Sequence, residues 1–206
     1  QINNKRVDEN TIINIYTFMN IKFFSKEHLI NDLLEKILFN FELGVFYREL
    51  REKTGLIYSI KLYNNINIRN PVESYYNIVT KCNLKNVPTV IKKIMSILKN
   101  YKITDEEIAY AKRGVDANDE YDKFVGLDTY NNYENFFLLY NIPYKSKKEL
   151  SKAFQKLKNS EIRKHFESFK NKIIKSCFIF YYSSKNIDNN IKKAIDNKII
   201  KYEKHF

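Results

Sequence analysis

Residues 48–60 read RELREKTGLIYSI: a charged helical end, a glycine and the start of a strand. Gly55 stands where a helix C′ residue takes the left-handed conformation that costs glycine nothing. The residues after it, 56–63, predict a strand with one apolar face made of Leu56, Tyr58, Ile60 and Leu62. Arg51 precedes Tyr58 by seven residues across this junction. By residue chemistry alone, Arg51 is a solvated arginine or a partner of Glu49 or Glu52, and Tyr58 is a core tyrosine.

Residues 11–21, TIINIYTFMNI, are β-branched and aromatic and predict a strand. Ser25 follows as an N-cap, and Leu29, Ile30, Leu33, Leu34, Ile37, Leu38 and Phe41 form an amphipathic stripe that should pack on the sheet. Gly44 permits a break before a short second helix ending near Lys53. Beyond the 56–63 strand lies another at 74–82, then a helix capped by Asn86 that carries Val90, Ile91, Ile94, Met95 and Leu98. Thr104 and Glu107 have capping-box spacing, and Ile103 and Ile108 stand at the positions of a hydrophobic staple. That helix should run to about Asp119. An aromatic-rich helix over 122–140 ends at Pro143, and Ser146 with Glu149 makes a second capping box. Ser160 opens a further helix, residues 172–182 predict a last strand, and 185–206 a helical tail. The order predicts an α+β fold, an antiparallel-leaning mixed sheet with helices packed on one face. With no internal repeat and no Pro/Gly linker, residues 1–206 read as a single domain.

The net charge of +12 raises nucleic acid as a partner. The basic excess is 30 Lys against 6 Arg, beside 27 Ile and 26 Asn, and the lysines are spread along the whole chain. These are residues of A+T-rich codons, so codon bias accounts for the charge and nucleic acid is discounted. Cys82 and Cys177 are isolated and read as thiols in a reducing compartment. The start, QINNKRVDEN, has neither a signal-peptide core nor an initiating methionine, and no apolar run suits a transmembrane segment. A reducing intracellular compartment, an organelle matrix and a virus particle fit alike.

Metal and nucleophile motifs are missing from the sequence. His28 is followed by Asn31 and Asp32 where H-x-x-E-H needs Glu and His, and His165 by Ser168 and Phe169. His205 is the third and last histidine. There is no phosphate-binding glycine loop and no nucleophile elbow. The acidic pair Glu106–Glu107 lies in a helix first turn, where it complements the dipole.

The opening stretch resembles the pitrilysin or insulinase-like zinc metallopeptidases, a family that includes insulin-degrading enzyme and the mitochondrial processing peptidase. Their segment L-R-E-x-x-G-L-x-Y-x-V stands here as residues 50–60. Upstream, HLINDLLEKILFNFELGVFYREL (28–50) looks like the family's first helix and glycine turn. Downstream, KITDEEIAYAKRGV (102–115) and YNIPYKSKKEL (140–150) resemble later segments, with Asn141 where glycine is usual. The likeness spans about 11–181. It implies a domain of the C-terminal half, which lacks the zinc and closes a chamber over a peptide or protein substrate. The zinc is then expected in an N-terminal half, fused or separate, and no metal in this chain. The resemblance also implies that Arg51 and Tyr58 reach the substrate backbone, with the chain alone inactive. A catalytically inactive homologue serving as a scaffold or binding subunit is the alternative. It has no need of the pair.

Overall fold

The computed structural model describes residues 10–41, 43–121 and 147–182. The elements follow in the order β1 (Asn10–Met19), α1 (Lys26–Phe39), α2 (Val45–Tyr47) running into a π-helical turn (Arg48–Glu52), β2 (Ile57–Asn65) and β3 (Ser74–Asn83). Then come α3 (Val87–Asn100), α4 (Asp105–Tyr121), α5 (Lys147–Lys156), α6 (Asn159–Ser176) and β4 (Phe178–Tyr182). The sheet order is β2-β3-β1-β4, and each of these pairings is antiparallel. This is the expected α+β architecture, with β2 and β4 as the outer strands of the described sheet.

Ile13 and Ile15 of β1, Tyr76 and Ile78 of β3 and Ile179 of β4 bury one face of the sheet. Against it lie Leu33, Leu34 and Ile37 of α1, Val90 and Ile94 of α3, and Ile162, Phe166, Phe169 and Ile173 of α6. Tyr76 and Phe169 meet edge to face at 4.9 Å. Ser25 caps α1, its Oγ accepting from the His28 amide at 3.2 Å. The box at α4 forms as expected: the Glu107 amide donates to Thr104 Oγ1 at 3.2 Å and the Thr104 amide to Glu107 Oε2 at 3.0 Å. The staple residues Ile103 and Ile108 are both buried.

Several expectations are corrected. Phe41 does not join the α1 stripe. The helix stops at Phe39, Asn40 turns extended, and Phe41 lies exposed against the Tyr47 ring at 4.8 Å. Gly44 does more than permit a break: a Cβ there would stand 2.6 Å from the Asn40 backbone, so the chain crosses itself where only glycine fits. Asn86 makes no side-chain cap. Asn83 does, accepting from the Lys85 amide at 3.2 Å to start a 3₁₀ turn that leads into α3. The last strand begins at Phe178 and not at 172, because Ile173 completes the helical spacing of Ile162, Phe166 and Phe169 on α6. That helix starts at Asn159, where the Lys158 amide donates to Glu161 Oε2 at 3.0 Å. The features placed at 122–140, Pro143, Ser146 and 185–206 lie outside the described residues.

Candidate functional site

The 48–60 segment folds around two irregularities. In the first, Arg48–Glu52 is wound one residue wider than an α-helix, with the Lys53 amide donating to Arg48 O at 3.0 Å. Gly55, at φ +61°, then reverses the chain. Its amide donates to Arg51 O at 2.8 Å, and the Leu56 amide to Leu50 O at 2.9 Å. Each bond spans one residue more than in a Schellman stop, as the wider turn requires.

The second irregularity is a β-bulge at Tyr58. Ile57 pairs with Cys82 and Ser59 with Lys81, so Tyr58 is an extra residue on β2. The bulge resets the pleat. Ile57, Ile60 and Leu62 point into the core, and Tyr58 is 52% exposed. The regular alternation of Leu56, Tyr58, Ile60 and Leu62 is therefore broken, and Tyr58 is not a core tyrosine.

Arg51 joins the two irregularities. Its Nη1 donates to Ile57 O at 3.1 Å, at the residue immediately before Tyr58. Neither acidic neighbour takes it as an ion pair. Glu49 pairs with Lys53, one turn on. Both Arg51 and Tyr58 are exposed. Thr54, which carries no signal in the sequence, donates from Oγ1 to Leu50 O at 2.9 Å and Glu49 O at 3.3 Å. The bulge had one sequence signal: Ile57 and Ile60 are both apolar at odd spacing, which a regular strand cannot bury together.

A second polar group lies toward the far end of β2. Asn64 Nδ2 donates to Asp32 Oδ1 at 3.4 Å, and His28 Nε2 stands 3.8 Å from the same oxygen. Burial pushes the Asp32 carboxyl up to about 7, with Glu35 adding repulsion. Burial pushes the His28 imidazole down to about 4. His28 Nδ1 accepts from the Phe24 amide at 2.9 Å, which also requires the neutral ring. Nearby, Phe23, His28, Asn64 and the Ile66–Arg69 loop line a groove of about 620 Å³. Among the described residues, no three His, Cys, Asp or Glu side chains gather so as to hold a metal ion. Nor is any described helix long and apolar enough to cross a membrane.

The sequence profile described as the peptidase M16 inactive domain matches residues 2–115, more than half of the chain. The chain belongs to this family. Solved structures share the fold. The peptidase M16 inactive domain of Pseudomonas fluorescens superposes with a TM-score of 0.64 at 16% identity, covering 86% of this chain and 42% of that one. A protease from Helicobacter pylori gives 0.62 at 17%, covering 84% and 40%. The inactive peptidase domain of a candidate zinc protease from Bordetella parapertussis gives 0.62 at 10%, covering 86% and 96%. No curated protein sequence matches. The M16 inactive domain described here thus spans about two fifths of the length of the Pseudomonas and Helicobacter chains.

Proposed function

We propose that this chain is the substrate-clamping, non-catalytic half of a zinc metalloendopeptidase, its 206 residues forming one domain. The zinc belongs to a second half, fused or separate. There it would polarise the scissile carbonyl and activate water. The observation that carries the reading is the bulge that places Tyr58 outside the core, beside the backbone that Arg51 holds. A core role needs neither feature. A guanidinium has five N–H donors, and the Nη1 of Arg51 gives one of them to Ile57 O. The Tyr58 hydroxyl is a further donor. Aimed at a peptide carbonyl as it gains negative charge, such donors stabilise the transition state more than the ground state.

The test is Tyr58→Phe in the full-length protein, assayed on a peptide it cleaves. Loss of a preorganised donor of this kind typically costs about 10²–10³ in turnover. Arg51→Ala should act in the same direction, with zinc content unchanged in both. The scaffold reading draws on one observation, that the Arg51–Ile57 bond already gives the arginine structural work. It predicts full activity in Tyr58→Phe and only lower stability in Arg51→Ala.

A further inference from the structure

We propose that Thr54 is a positioning residue for the Arg51–Tyr58 pair, its hydroxyl strapping the end of the π-helical turn; this rests on the clamp reading above. In an α-helix the Glu49 carbonyl would receive the Lys53 amide. Here that amide goes back to Arg48 O, because the turn is one residue wider. Thr54 Oγ1 lies against the carbonyls at the loosened end, Leu50 O at 2.9 Å and Glu49 O at 3.3 Å. Thr54 is itself exposed, so no packing demand explains a threonine there. Leu50 is fully buried and anchors the turn to the core.

The strap fixes the turn from which Arg51 projects. Arg51 then reaches Ile57 O across Gly55, and the bulge follows at Tyr58. A turn relaxed toward α-helical spacing rotates Arg51 about the helix axis and releases that carbonyl. The threonine hydroxyl, not its methyl, supplies the constraint. Misplacement of a positioning group by about 1 Å can cost up to 10²-fold in rate.

Thr54→Val and Thr54→Ser are therefore made in the full-length protein, alone and with Tyr58→Phe. Each is assayed for kcat and KM on a quenched fluorescent peptide that the enzyme cleaves. Amide hydrogen exchange is followed over residues 50–58. Thr54→Val should lower kcat by about ten- to a hundredfold with KM little changed, and speed exchange at Gly55 and Leu56. Thr54→Ser should restore both. In the Tyr58→Phe background Thr54→Val should cost less than about twofold, since residues acting as a unit are not additive. Full kcat in Thr54→Val beside a deficient Tyr58→Phe overturns the strap and leaves the clamp standing. So does a loss that serine fails to restore. Full kcat in Tyr58→Phe overturns the clamp and the positioning role together.

Discussion

Gly44 and Gly55 bracket the short helix that carries Arg51, and they are required for different reasons. At Gly55 the backbone is left-handed and nothing lies within 4 Å of where a Cβ would be. Gly55→Ala should cost only the conformational strain, about 1–2 kcal/mol, read from the shift of a denaturant midpoint at constant m-value. At Gly44 the Cβ of alanine would meet Asn40 N and O at 2.6 Å and Leu38 O at 2.8 Å, all backbone. That contact cannot be relieved by a side-chain rotation, so Gly44→Ala should cost more than Gly55→Ala in the same measurement. Equal losses at the two positions would show that the α1–α2 crossing yields easily. The role of Gly55 was legible in the sequence, since a glycine after a charged helical end has few other uses. The crossing at Gly44 was not, because close approach between turns leaves no trace in local spacing. The exposure of Tyr58 was hidden for a similar reason. A bulge depends on the partner strand, and alternation along β2 alone points the wrong way.

At the level of the elements, the amphipathic stripes of α1 and α3 were legible, Phe41 excepted, because their periodicity is set by burial. Leu33 and Ile94 are both fully buried against the sheet. Leu33→Ala or Ile94→Ala should each cost about 2–5 kcal/mol in urea unfolding. Boundaries were less legible: β-branched residues 173–174 suit a strand by propensity, yet both lie in α6, with Ile173 on its buried face. The start of α1 gives a pH prediction. His28 has a depressed folded value near 4 and an ordinary unfolded one near 6.5. Its contribution is present above about 6.5 and lost as pH falls toward 4. Asp32 has the opposite sign. Its folded value is raised to about 7, so its contribution is present below the ordinary carboxylate range, near 4, and lost as pH rises toward 7. The two neighbours offset one another between about pH 4 and 6.5. Asp32→Asn should expose the histidine, with stability rising more steeply with pH across that window than in the parent protein. His28→Gln should leave the aspartate, with stability falling as pH rises. Identical pH profiles for parent and both variants would mean that neither group is desolvated in solution.

On the scale of the whole molecule, the family was legible as a resemblance carried by the segments 28–50, 50–60, 102–115 and 140–150, and the α+β fold by the partly segregated order of strand and helix patterns. The Pseudomonas and Helicobacter chains are more than twice the length matched here. The proposed division of labour makes a prediction about metal. With no ligand cluster among the described residues and no H-x-x-E-H in the sequence, the purified 206-residue chain should carry well under one zinc per molecule by elemental analysis. The full-length protein should carry about one, as a single catalytic zinc site requires. On the proposed reading, zinc counts the other half and is independent of the clamp. In Arg51→Ala and Tyr58→Phe full-length variants the zinc content should equal the parent's while turnover falls. If turnover and zinc fell together, the pair would be acting on the assembly of the two halves, and its place at the substrate backbone would be lost. One zinc per isolated chain would go further and remove the assignment of this domain to the closing half.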